Sequence, residues 1–221
     1  MRALWLVLLL ATGCSRTLVD YETASYIVRT GDTLSAIAWR FGLDPAELAA
    51  WNGIRNPDLI RAGQRLTLRN EGRTAVAPRS GSARRASLPS VDPPADPAPA
   101  WAWPTMGRVV SVFGTDGELS SGVAIGGNPG QSVKAAAAGR VVYAGDGLIG
   151  YGQLVIIKHN ETYLSAYGHN RRLLVTQGQA VTRGQPIAEM GFSPQRVAQL
   201  HFEIRRHGKP VDPLGYVSPG G

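Results

Sequence analysis

A single cysteine, Cys14, rules out an internal disulfide, so nothing in this chain is stapled covalently. Charge is also sparse, at 18% of residues, and the formal net charge of +7 comes almost wholly from arginine. No dense Lys/Arg cluster stands beside exposed aromatics, which argues against a nucleic-acid partner. The basic balance suits an anionic surface such as lipid headgroups or cell wall. The N-terminal apolar run, residues 3–11, is far short of the roughly 20 residues that span a bilayer. Histidine is scarce too: His159, His169, His201 and His207 are all the chain has. A catalytic zinc site needs about three protein ligands with one position left open, so few metal sites are available to it.

The segment MRALWLVLLLATGC has one cation, Arg2, then the apolar run, then small residues before Cys14. It has the layout of a secretory signal. It also resembles a bacterial lipobox, with Ala11 where leucine is more usual. That resemblance implies a signal peptide over 1–13, lipidation of Cys14 and a tether over 14–25. Several acyl chains, at about 0.8 kcal/mol per buried CH₂, would hold the mature chain on a membrane. By the same resemblance, the non-acidic Ser15 implies the inner leaflet of the outer membrane, facing the periplasm.

Composition then divides the chain. Residues 26–69 form a first unit, and 104–221 a second. Between them, 70–103 is rich in Pro, Ala, Ser and Arg; we expect a disordered linker that lets the second unit search nearby space. In the first unit, Leu34, Ile37, Ala38 and Phe41 recur at helical spacing, with Asp32 or Thr33 available as cap. Asp44, Pro45 and Glu47 mark a second helix start, and Asn52-Gly53 its end. Strand-like pieces flank both helices, giving a small α+β unit in the order βααβ.

In the second unit the period is two. Tyr163, Ser165, Tyr167 and His169 alternate with Leu164, Ala166 and Gly168; Gln199, His201, Glu203 and Arg205 alternate with Leu200, Phe202 and Ile204. Further strands are expected over 107–113, 139–145, 153–159 and 186–190, separated by glycine turns. The class is mainly antiparallel all-β. If the two histidine-bearing strands are neighbours, His169 and His201 line one groove. Glu203 is the nearest carboxylate, but nothing in the pattern specifies a third metal ligand, so ordinary hydrogen-bonding histidines are the simpler reading.

The motifs YIVRTGDTLSAIAWRFG, LAAWNGI and IRAGQRLTL resemble the LysM module. The resemblance implies binding of N-acetylglucosamine-containing glycans such as peptidoglycan. The implied sugar groove lies between Gly31, Asp32, Thr33, Leu34 and Pro57, Asp58, Leu59, Ile60. Residues 104–221, through GRVVYAGDGLIGYGQLVIIKHN, YLSAYGHN, GQAVTRGQPIAEMG and LHFEIRRHGKPVDPLGYV, resemble a LytM/lysostaphin-type zinc endopeptidase domain. Active members carry H-x-G-x-D and H-x-H elements. Here SSGVA places Ser120 and Ala124 at the two ligand positions of the first. QLH places Gln199 at the general-base position and keeps His201 as third ligand; His169 matches an auxiliary histidine. The resemblance therefore implies a degenerate domain with no catalytic residues, no metal and no cofactor. The whole arrangement resembles the NlpD-like murein hydrolase activators, which implies a partner, a periplasmic N-acetylmuramoyl-L-alanine amidase. Tyr163, Tyr167, His169, Gln199, His201 and Arg205 are the expected contact groove. A passive peptidoglycan tether, and last an active zinc endopeptidase, are the other readings.

Overall fold

A computed structural model describes residues 25–69, 96–115 and 120–218. The signal segment, Cys14 and residues 70–95 of the expected linker lie outside the described residues.

The first unit folds as its sequence predicts. Strand β1 (Ser25–Ile27) pairs antiparallel with β2 (Arg65–Thr67), and helices α1 (Leu34–Phe41) and α2 (Pro45–Trp51) lie between them in sequence. Of the two candidate caps it is Thr33 that accepts from the Ala36 N–H, at 3.0 Å. Asp32 instead accepts from the Tyr26 hydroxyl and the Arg29 N–H, each at 2.7 Å. Gly42 ends α1 in the left-handed conformation, φ 64°, which a side chain would strain. Asp44 caps α2, with Pro45 in its first turn. Leu34, Ile37 and Ala38 fill a small core with Leu48 and Leu66. The opposite side of α1 carries Ala36 and Trp39, buried at 3% exposure each, in a different cluster.

The second unit is an antiparallel sheet. Its strands are β3 (Val109–Ser111), β4 (Val123–Gly126), β5 (Ser132–Lys134), β6 (Gly139–Gly145), β7 (Gln153–Lys158), β8 (Tyr163–Leu173), β9 (Ala180–Val181), β10 (Pro186–Met190), β11 (Gln199–Arg206) and β12 (Lys209–Val211). The main path runs β3-β4-β11-β8-β7-β6-β9; β10 joins β5 to β8, and β12 pairs β11. The expected strand over 107–113 shrinks to the three residues of β3. One face carries the main core, including Val123, Ile125, Val155, Ile157, Tyr167, Phe202 and Ile204.

Two expectations are corrected. Residues 96–103 are not linker: they strap onto the second unit. Asp96 accepts from the Glu161 N–H, Ala102 donates to Ala136, and Trp101 meets His159 edge-on at 4.8 Å. The segment's two large rings gain by burial there: Trp101 and Trp103 pack against the main core, with Trp101 beside Tyr216. Second, the two units are docked rather than independent. Ala36 and Trp39 of α1 share a cluster with Tyr143, Leu148, Leu154, Ile156, Leu164 and Ala166 on the sheet's other face. Thr33 donates to the Val142 carbonyl and Arg40 to the Gly147 carbonyl, both at 2.9 Å. Gly208, at φ 72°, lets the β11–β12 turn approach; a Cβ there would lie 2.1 Å from the Leu43 carbonyl oxygen.

Candidate functional site

The site is built on β11, where period-two alternation sets one polar face against one apolar face. The register puts His201 opposite Gly168, Glu203 opposite Ala166 and Arg205 opposite Leu164. On its other edge His201 faces Ala124 of β4. Residues directly opposite in an antiparallel ladder share a face. The polar face of β11 therefore lies with Leu164, Ala166 and Gly168, not with Tyr163 and Tyr167.

This corrects the expected groove. Tyr167 sits opposite Phe202 and packs on its ring at 5.5 Å, fully buried in the main core. Its hydroxyl accepts from the Ala136 N–H at 2.8 Å, and burial pushes its pKa up to about 12. Tyr163 is likewise in that core, against Tyr216. Alternation holds within each strand, but grouping the polar-tipped residues of β8 with those of β11 needs a register one residue away from the one found. His169 escapes the rule. Its φ of 62° leaves the strand conformation, and its ring lies 6.0 Å from that of His201.

The groups that converge are buried. His201 is 2% exposed, Glu203 0% and Arg205 5%. Arg205 donates from Nε to Glu203 Oε1 at 2.6 Å, Tyr151 donates to Glu203 Oε2 at 3.1 Å, and His201 Nε2 lies 3.5 Å from that same oxygen. The Tyr151 ring covers His201 edge-on at 5.6 Å. Burial, then the Glu203 charge, raises the Tyr151 pKa, and Arg205 partly offsets this. The Arg205 guanidinium lies 3.6 Å over the Trp39 ring and donates from Nη1 to the Trp39 carbonyl at 2.6 Å. So one end of the polar face is covered by α1 of the first unit. A small cavity of about 180 Å³ remains there, bounded by Trp39, Arg40, Leu148, Ile149, Tyr151 and Arg205. Gln199, at the start of β11, is half-buried opposite Gly126.

These residues do not fit a catalytic zinc. Ala124, across from His201, carries no donor atom, and Ser120 is exposed on the turn before β4. Among the described residues no three His, Cys, Asp or Glu side chains converge. Gly122 shows how closely β4 approaches: a Cβ there would lie 2.4 Å from the Phe202 carbonyl oxygen and 2.9 Å from His201 Cε1.

Six of the eight residues expected to contact saccharide come together. Asp32, Thr33, Leu34, Pro57, Asp58 and Ile60 line one cleft; Gly31 and the exposed Leu59 do not. Sequence reasoning missed Trp39 and Tyr151. Trp39 is an apolar residue off the helix's core stripe, and Tyr151 is an aromatic held between two glycines in GYG. Both are signals of contact outside the local core.

Residues 118–213 match peptidase family M23, and residues 26–69 match the LysM domain. A lipoprotein of Pseudomonas aeruginosa, "NlpD/LppB homolog", is 48% identical over 231 residues, covering 88% of this chain and 77% of that protein. The "Murein hydrolase activator NlpD" of Escherichia coli is 35% identical over 260 residues, covering 90% and 69%. A second E. coli lipoprotein, YgeR, is 38% identical over 226 residues, covering 96% and 90%.

Proposed function

The chain belongs to the NlpD/LppB lipoprotein family, and on that premise we propose that it is a non-catalytic activator of a cell-wall amidase. In this reading Cys14 carries lipid and holds the protein at the inner leaflet of the outer membrane. The LysM unit binds peptidoglycan. The M23 unit engages a periplasmic N-acetylmuramoyl-L-alanine amidase and promotes hydrolysis at the septum. The resemblance to the peptidase puts Ser120, Ala124 and Gln199 at two ligand positions and the base, which supports this reading.

The observation that carries this is Ala124 opposite His201. One imidazole facing a methyl group cannot hold zinc against water, so no activated hydroxide forms. The sheet that would hold the metal is nonetheless intact, with Gly122 keeping β4 tight against β11. A scaffold that keeps its shape while losing its donors suits binding rather than cleavage. The contact surface is then the polar face of β11 with His169, and Tyr163 and Tyr167 act only from the core behind it. A partner that uses Arg205 must first lift α1 away, because Trp39 lies on that guanidinium. Activation then requires the partner to bind the undocked form more tightly than the docked one.

The test is release of dye-labelled fragments from purified peptidoglycan by a candidate amidase, with and without the full chain. Release should rise several-fold when both are present, and the chain alone should release nothing. No increase would leave a passive tether. Release by the chain alone, with about one bound zinc per molecule, would restore the endopeptidase.

A further inference from the structure

The cleft that holds the expected sugar residues is not formed by the LysM unit alone. It encloses about 270 Å³, and its far wall is Arg140, Val141 and Val142 of β6 with Gln177 and Gly178 of the turn between β8 and β9. That wall is fixed to the rest of the molecule. The Gly178 N–H donates to the Val141 carbonyl at 2.8 Å, and Arg140 Nη1 donates to the Gly178 carbonyl at 2.8 Å. The Thr33 hydroxyl then joins the two sides by its bond to Val142. We propose that Arg140 and Gln177 of the M23 unit are saccharide-contacting residues that complete the LysM site.

The chemistry matches an N-acetylated amino-sugar chain. A guanidinium has five donors, and Arg140 spends one inside the protein. Its remaining donors suit ring hydroxyls and the acetamido carbonyl. Gln177 adds both a donor and an acceptor, and its side chain has no hydrogen bond to any described residue to give up. Opposite them stand Asp58, an acceptor for sugar hydroxyls, and the apolar edges of Pro57 and Ile60. A few placed polar groups against apolar walls is the usual make-up of a small-ligand cleft. Because the walls come from two units, a sugar in the cleft stabilises their docking, and docking strengthens the sugar's binding by the same factor.

This rests on the LysM unit's binding glycan, and the experiment separates the two claims. The full-length chain is titrated with a soluble N-acetylglucosamine tetramer by calorimetry. Arg140→Ala and Gln177→Ala should each weaken binding about three- to tenfold, the value of a hydrogen bond or two. Trp39 lies outside both the cleft and the LysM core, so Trp39→Ala opens the seam without touching the site. In that background binding should be weaker, and adding Arg140→Ala should change it less than twofold. If wild-type binds but Arg140→Ala and Gln177→Ala bind equally well, the composite site is wrong and the LysM reading stands. If Trp39→Ala binds more tightly than wild-type, the wall obstructs the sugar and the proposal falls. No binding by wild-type would remove both.

Discussion

The two faces of β11 are about equally buried, yet they are buried by different things. Leu200, Phe202 and Ile204, each 0% exposed, are covered by their own domain. His201, Glu203 and Arg205 are covered by Tyr151 and by a helix from another domain. The first cover is continuous apolar packing. The second includes the Glu203–Arg205 ion pair. A buried charge pair returns little net stability. Burial alone therefore does not say how firmly a surface is closed. The apolar face should open only on global unfolding, and the polar face by undocking.

Deleting the apolar face should have the largest effect. Phe202→Ala should cost the M23 unit about 3–5 kcal/mol and lower its melting temperature in calorimetry. Acid should attack the same side. His159 bonds Ala138 and Ser165 through its two ring nitrogens, and burial lowers its pKa to about 4. The unfolded chain binds that proton near its ordinary value of about 6.5. Stability is thus fully present above about pH 6.5 and falls as pH drops toward about 4, by an amount on the order of 3 kcal/mol. His159→Gln should flatten that window in denaturant titrations.

The polar face should respond differently. In a closed core, Glu203→Gln would strand Arg205 at a cost of about 3–5 kcal/mol. Here α1 can lift and let Arg205 hydrate. Glu203→Gln should thus separate the units, seen as an expanded small-angle scattering profile, and shift M23 melting by less than about 1 kcal/mol. A full core-sized loss would show that the two faces are closed alike. The most local effect is Thr33→Val, which removes the α1 cap and the bond to Val142 together. It should lower LysM stability by about 1 kcal/mol and loosen the seam.

Local elements were legible because their causes are local. Thr33, Asp44-Pro45 and Asn52 set helix ends, and period-two runs set β6, β7, β10 and β11. What failed depended on pieces far apart in the chain. Alternation cannot say which strand edge meets which, so nothing local bars Tyr167 from the face that in the fold holds Ala166. Nothing near Trp39 in sequence announces Arg205, 166 residues away. Residues 96–103 read as linker because their tryptophans find partners only in the folded sheet. The site positions Ser120, Ala124, Gln199 and His201 came from family resemblance, and register then set Ala124 against His201.

The claim that the polar face of β11 serves a partner and is covered by the chain's own helix has a direct test. Amidase-driven peptidoglycan release is measured against increasing concentrations of full-length wild-type and Trp39→Ala chains. An undocked population removes the penalty for lifting α1, so half-maximal activation should need about tenfold less of the variant. Equal or higher requirement by Trp39→Ala would mean that α1 does not guard the surface the amidase uses.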